Sequence, residues 1–230
     1  MDTRGYRLDD AGLALGWNER LELSLARQRL ATGDTGTALG LPGLVLQQDI
    51  VAAKWRITGD AVLDSDRWWP AIAVGVQAKH VDVGGLAPTL TALGARRDGG
   101  DLYGSASKLL LGPGVLLNGT LRATRANQNG LLGFGGSAHR AYTVQPEASV
   151  ALLLNRSLAV GAEYRAKPDA LNPSLLGAGL KEDDWVDLFV AWAPLKNLSI
   201  TAAWVDLGRI VPAVDARRQT GAYLSLQLAY

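Results

Sequence analysis

Along much of the chain, apolar and polar residues alternate with a period of two, the period at which side chains on an extended strand point to opposite faces. Leu198 and Ile200 alternate with Ser199 and Thr201, and Thr143, Gln145, Glu147 and Ser149 alternate with Val144, Pro146, Ala148 and Val150. Leu158, Val160, Ala162 and Tyr164 face away from Glu163, Arg165 and Lys167. This is the pattern of a sheet with one apolar and one polar face. About eleven such segments are visible, near 6–17, 20–30, 44–58, 71–82, 101–111, 115–126, 141–154, 157–167, 183–194, 198–208 and 219–230. Most have the roughly 9–11 residues that a tilted strand needs to cross a bilayer. Helical periodicity is weak, and 27 glycines spread through the segments penalise helices. The predicted fold is therefore all-β, an antiparallel up-and-down transmembrane barrel forming a single domain over 1–230.

The connections alternate in length. Short turns fall at Asn18-Glu19, Gly112-Pro113-Gly114, Asn155-Arg156 and Leu195-Lys196-Asn197, with residue types that tight turns favour. Between them lie long stretches at 31–43, 82–100, 127–140 and 169–182, while 59–70 is intermediate and groups with the short set. Short turns at one rim and long loops at the other are the outer-membrane arrangement. Trp17, Trp55, Trp68, Trp69, Trp192 and Tyr230 fall near short-turn ends, and Tyr6, Tyr142, Tyr164 and Trp185 near long-loop ends, as two interfacial girdles require. The last segment puts Leu224, Leu226, Leu228 and Tyr230 on one face, the form of a C-terminal assembly signal addressed to a barrel-assembly machinery.

Composition removes several classes of function. The 23 Lys+Arg against 22 Asp+Glu give a formal charge of +1, so nothing argues for a nucleic-acid partner. With no cysteine there is no disulfide framework, thiolate metal site or cysteine nucleophile. No apolar run approaches the roughly 18 residues of a membrane helix. The start, MDTRGYRLDD, lacks the basic and apolar regions of a signal peptide. No cofactor is indicated.

The blocks YRLDDAGLALG, RLELSLARQRL, GDAVLDSDRWWPAIAVGVQAK, LLNGTLRATRANQNGLLGFGG, LAVGAEYRAKPDAL and KEDDWVDLFVAWAPLKNLS resemble a proteobacterial outer-membrane family known as domain of unknown function 3034. The resemblance runs over most of the chain and implies a barrel located in the bacterial outer membrane. It implies no activity and carries no catalytic or binding residues. Members of that family have a signal peptide and further strand-like sequence before the YRLDD block. The C-terminal strand and the strand at 6–17 also both run towards the short-turn rim, whereas bacterial single-chain barrels have even strand numbers. The expectation is an N-terminally truncated barrel lacking at least one strand, with twelve or more in the native protein.

Candidate functional residues follow from the alternation. Glu22, Lys54, Arg56, Lys79, Arg122, Glu147, Glu163 and Arg165 lie opposite the leucines and valines. A Lys or Arg facing lipid at the midplane costs about 2–4 kcal/mol, so these charges belong in the lumen. Their mixed signs allow an ion-pair lattice filling a narrow barrel or the lining of a water-filled pore. The lattice is the preferred reading, in a structural barrel or narrow small-solute channel that is partly occluded. Lys108 sits in a strand of poor alternation and is not assigned. Arg27, Arg29 and Arg125 continue the outward register at the long-loop end, where guanidinium groups suit the phosphates of lipopolysaccharide or another outer-membrane lipid.

The alternative function is a membrane-embedded lipid hydrolase. His80 and His139 are the only histidines available to it, both at strand–loop junctions, and no serine has a recognisable nucleophile context. GFGGSA at 133–138 satisfies a dinucleotide pattern literally but lacks the strand and helix that the pattern requires, and reads as a flexible surface loop. The run Glu182, Asp183, Asp184 lacks the spacing of a Ca²⁺ loop and reads as a solvated charge cluster. Oligomeric state is not legible.

Overall fold

The computed structural model describes residues 1–60, 67–173 and 179–229. The strands are β1 (Asp2–Thr3), β2 (Arg7–Trp17), β3 (Leu21–Ala31), β4 (Val45–Thr58), β5 (Ala71–Asp82), β6 (Asp98–Leu110), β7 (Val115–Thr124), β8 (Thr143–Leu153), β9 (Leu158–Arg165), β10 (Trp185–Leu195), β11 (Leu198–Asp206) and β12 (Thr220–Leu228). Each pairs antiparallel with its chain neighbours, and β1 pairs with β12, so the sheet closes into a barrel. Closure satisfies the backbone groups that lipid would otherwise leave unpaired.

The strand count corrects the sequence reading. Eleven segments with a strand missing are expected; the twelfth strand lies within this chain, at Asp2–Thr3. Asp2 opposes Ala222 of β12 and Arg7 of β2, and Thr3 opposes Gly221, so β1 sits between the two parallel-running strands. A two-residue strand is too short to show alternation. Gly221 is required there, because a Cβ would come within 1.9 Å of the Asp2 carbonyl oxygen.

The register fixes which side chains face out. Leu21 opposes Trp55 and Leu25 opposes Val51, and this parity carries round the barrel through Val76 and Leu102, then Leu117 and Val150, to Leu188, Trp204 and Leu224. These residues are all exposed. Exposure of so many large apolar side chains is the inverse of a water-soluble core and marks the face that lipid covers. Lys108 opposes Leu117 and therefore faces outward, near the short-turn rim, where it donates to the Arg67 carbonyl.

Trp17, Trp55, Trp68 and Trp192 are exposed at the short-turn rim, and Tyr142 and Tyr164 at the long-loop rim, as the girdles require. Two of the expected girdle residues go elsewhere. Tyr6 is buried, and Trp185 has lumen parity beside Asp187, with Lys167 Nζ 4.7 Å from its ring centre. Trp204 stands outward near the same rim and belongs to the girdle instead. At the short-turn end Asn18 and Glu19 take φ of 50° and 53°, the left-handed pair that a tight hairpin connection demands.

The buried apolar core lies inside the outer end of the barrel. Leu8, Leu30, Leu46, Val81 and Val205 from the walls pack with Leu131, Leu132 and Phe134 from the β7–β8 loop and Leu171, Leu180, Leu207 and Ile210 from the neighbouring loops. Short helices α1 (Gly33–Ala38) and α2 (Ala87–Ala92) lie in two of the remaining long loops, and α2 contributes Leu90 to this core.

Candidate functional site

The inward-facing charges form a chain across five adjacent strands. Lys79 of β5 lies 2.7 Å from Asp101 of β6, and Arg122 of β7 lies 3.5 Å from the same Asp101 oxygen. Arg122 also grips Glu147 of β8 through Nε and Nη2 at 2.6 and 3.2 Å, and Arg165 of β9 reaches Glu147 at 3.2 Å. The Arg122 guanidinium lies 5.0 Å from the Tyr103 ring centre and donates to Gln77 at 3.2 Å. Bidentate and shared contacts of this kind offset the desolvation of buried charge. Nearer the short-turn rim, Glu22 and Lys54 stand 4.0 Å apart, and Arg56 pairs with Asp60 and lies 3.9 Å from Glu19. All eight predicted lumen charges face inward, and seven are ion-paired.

Glu163 differs. It opposes Asp187 of β10 directly, both inward, and neither has an ion pair among the described residues. Asp101, Asp187 and Asp10 are lumen carboxylates that the sequence reading misses. Asp101 follows two glycines where no alternation shows, and Asp10 follows Asp9, leaving its parity ambiguous. Asp187 was legible, since Val186, Leu188 and Val190 fix its parity.

The lattice does not fill the barrel. It hugs the β5–β9 wall, and beside it lies a chamber of about 570 Å³ lined by Asp10, Glu163, Asp187, Phe189, Thr201 and Tyr223 among others, running down to Ser225 and Gln227 near the short-turn end of β12. A second cavity of about 440 Å³, lined by Glu22, Lys54 and Arg56, lies at the short-turn rim, and Asn118 lines both.

The outer end of the barrel is occupied by the β7–β8 loop, which corrects the reading of 133–138 as a flexible surface loop. Residues 126–136 turn into the barrel, and Phe134 is 1% exposed. Phe134 exchanges backbone hydrogen bonds with Arg96 at 2.9 and 3.0 Å. Gly99 makes room for its ring, since a Cβ there would meet ring carbons at 2.2 Å. Gln128 and Asn129 have φ of 45° and 60°, strained for residues with side chains. Contacts from the walls hold them. The Asn129 carbonyl accepts from Gln48 Nε2 and Lys79 Nζ, both at 3.4 Å.

Glu182 is the other correction, because it is not part of a solvated charge run. Its two carboxylate oxygens accept the Gln128 backbone N–H at 2.9 and 3.0 Å, and Lys167 Nζ lies 3.6 Å away while donating to Gln128 Oε1 at 2.7 Å. The Lys167 and Glu182 side chains are 2% and 3% exposed. Burial pushes the Glu182 carboxyl up to about 7, against the pull of Lys167, and pushes the Lys167 ammonium down. Asp183 accepts from the Arg209 guanidinium at 2.7 and 2.8 Å and from its backbone N–H, which hold its carboxyl down at about 2. Asp184 accepts from the Tyr164 hydroxyl at 2.6 Å and the Lys167 backbone N–H at 3.1 Å. Among the described residues no group of side chains is arranged to hold a metal ion.

On the outer surface, Arg27 and Arg29 face outward as expected. Arg27 is held by Asp49 at 2.6 and 3.0 Å, whereas Arg29 has no ion pair among the described residues. The Arg125 guanidinium lies 5.1 Å from the Tyr142 ring centre. His80 Nδ1 lies 2.7 Å from Asp98, an outward-facing histidine–carboxylate pair, but no hydroxyl bonds to His80 among the described residues. Its outward neighbours in the register are Ala78, Asp82 and Asp49. His139 is exposed in the β7–β8 loop. Leu224, Leu226 and Leu228 project outward as a row, while Tyr230 lies outside the described residues.

A closed twelve-stranded antiparallel barrel with an apolar outer face, charged lumen and short and long connections at opposite rims is an outer-membrane porin-like fold. The chain belongs to the family described as protein of unknown function (DUF3034), whose model matches residues 1–227. Among solved structures it is similar to the NanC porin, with a TM-score of 0.62 at 10% identity over 99% of this chain and 98% of that one. It is less similar to outer membrane phospholipase A from Escherichia coli, with a TM-score of 0.49 at 8% identity over 97% of this chain and 77% of that one. No curated protein matches the sequence.

Proposed function

We propose that the protein is a non-enzymatic channel for small solutes in the outer membrane of a Gram-negative bacterium, closed at its outer end by its own loops. The observation that carries this reading is the chamber of about 570 Å³ beside the ion-pair lattice, polar along one side and roofed by the loop that buries Phe134. A scaffold filled by its side chains would have no such space. About eight strands leave room only for side chains and 16–18 leave an open channel, so twelve strands need an added closure if they are not to leak. The β7–β8 loop supplies it.

The outward leucines of β12 suit recognition by a barrel-assembly machinery. Arg29, with Arg27 and Arg125 on the same face, suits the phosphates of lipopolysaccharide; Arg29 is the strongest contributor because Arg27 is already occupied by Asp49. The His80–Asp98 pair favours the hydrolase alternative, but a hydrolase also requires a nucleophile within hydrogen-bond reach of that histidine. The reading is tested by planar-bilayer recording on the purified barrel and on a variant whose 127–136 segment is replaced by a short Gly-Ser turn. Silence from the first and stable openings from the second are expected. Silence from both, or phospholipid hydrolysis lost on His80→Ala, would overturn the channel reading.

A further inference from the structure

We propose that Lys167 and Glu182 form a clasp that locks the β7–β8 loop into the barrel mouth, so that releasing the clasp opens the channel. The proposal rests on the channel reading and adds the lock to it.

The argument begins with where the pair sits. Lys167 follows β9 and Glu182 precedes β10, so both belong to one connection, yet the residue they hold, Gln128, belongs to another. The grip covers the whole residue. Glu182 takes its backbone N–H through both oxygens, Lys167 donates to its side-chain oxygen, and its side-chain nitrogen donates to the Ile210 carbonyl of a third connection at 3.2 Å. Three loops are thereby joined through one side chain.

Gln128 is also a residue that the loop does not hold comfortably by itself. Its φ of 45°, followed by 60° at Asn129, is a conformation that persists only where surroundings impose it. Apart from the clasp and the Ile210 carbonyl, the wall bonds to this turn are three long ones to Asn129, from Gln48 and Lys79 to its carbonyl at 3.4 Å and from Lys79 to its side-chain oxygen at 3.5 Å. Loss of Glu182 would leave a buried N–H without an acceptor in a strained turn, and the turn relieves both by leaving the mouth.

The chemistry of the pair fits a lock better than a structural brace. Well-packed apolar residues commonly stabilise as much as a buried ion pair or more, so charge is a poor choice for stability alone. Breaking such a pair from one side, however, is strongly unfavourable, which makes its two states distinct. The other charges facing the pair are Asp169, which accepts the Glu182 backbone N–H at 3.1 Å, Asp183 beside Arg209, and Asp184. Each of these acids already has a partner of its own, leaving Lys167 as the cation that neutralises Glu182.

The test uses Lys167→Ala/Glu182→Ala, which removes both charges and leaves none unpaired, in planar bilayers after folding is confirmed by heat-modifiable migration in gels. Open probability is expected to rise about tenfold or more over the parent protein. The chain has no cysteine, so Gln48→Cys with Asn129→Cys can be bridged by a reducible bifunctional thiol reagent, which tethers the loop to the wall in the same background. Cross-linking should silence the openings and reductive cleavage restore them. If the double variant fails to fold, Gln128→Ala, which removes both side-chain bonds of that residue and keeps its left-handed strain, takes its place with the same expectation. A silent clasp variant beside a conducting loop-replaced variant would overturn the lock while leaving the channel reading standing. Silence from both would overturn the two together, and openings indifferent to the tether would show that the loop is not what moves.

Discussion

The fit between Phe134 and Gly99 gives a prediction that can be worked through. Phe134 is buried in the loop that roofs the chamber, and Gly99 of β6 is the wall position against which its ring lies, with 2.2 Å from an added Cβ to the ring. Phe134→Ala should destabilise loop closure by about 3–5 kcal/mol, through lost burial and the space left behind. Gly99→Ala should cost about 1–3 kcal/mol by forcing the ring to shift. In the double variant the new methyl enters the space that the ring has left. The two effects should then fall short of their sum by about 1–3 kcal/mol. Hydrogen exchange of the 126–136 amides, followed by mass spectrometry on the folded barrel, reads this directly. At about 1.4 kcal/mol per decade, Phe134→Ala should lower protection by about two decades or more, with the β-strand amides unchanged. If the two substitutions add, or if protection of 126–136 is unaffected by either, the loop is not packed against β6 as described.

Four further outcomes follow. Because Glu182 titrates at about 7 in the closed loop against 4.5 ordinarily, closure binds its proton more tightly than opening does, so acid favours closure of a Lys167→Met variant and base opposes it. Exchange protection of 127–134 in that variant should be full below about pH 4.5 and fall by up to about tenfold per unit as pH rises from there through 7, the fall continuing past 7 because the pull of Lys167 is gone; a pH-independent profile would contradict the assignment. Asp183, at about 2 against 3.8, has the opposite sign: its grip on Arg209 is fully present above about pH 4 and lost as pH falls through 2, so the 207–219 loop should become protease-sensitive in that acid range while Asp183→Asn is sensitive at neutral pH. Arg122→Ala should destabilise the barrel by about 3–5 kcal/mol in denaturant titrations without producing channel openings, since the lattice lines a wall and does not block the lumen. Arg29→Gln should reduce co-purified lipopolysaccharide more than Arg27→Gln, because Asp49 already occupies the Arg27 guanidinium, and equal effects would argue for non-specific attraction.

What could be read from the sequence is what the bilayer imposes on every strand. Lipid on one face and charge on the other leave a period of two that β3, β8 and β11 display openly, and Arg122 and Glu147 sit on the correct side for that reason. β1 was illegible because two residues carry no period. The loops were misread for a different reason. A connection is ordinarily polar, and 133–138 is rich in glycine, so it reads as a solvated loop; Phe134 within it and Leu131 and Leu132 just before it are the signal that the connection needs somewhere to bury apolar surface. Where it would go depended on the β4–β6 walls and on Gly99, which no local pattern reveals. The same tertiary dependence hid Glu182, whose neighbours Asp183 and Asp184 made it look like one member of a charge run, although its partner Lys167 lies across the β9–β10 connection.

The central claim is that the lumen contains a solvent-filled chamber sealed from the outside. Single cysteines introduced at Thr201 and Ser149 on the chamber wall, and at His139 in the exposed part of the β7–β8 loop, can be challenged with a small charged thiol reagent in cells lacking general porins. Reagent applied outside should modify His139→Cys rapidly and leave the two wall positions unmodified, whereas reagent admitted to the periplasm should modify Thr201→Cys and Ser149→Cys. Modification of the wall cysteines from outside as fast as His139→Cys would contradict the seal, and their resistance from both sides would contradict the chamber.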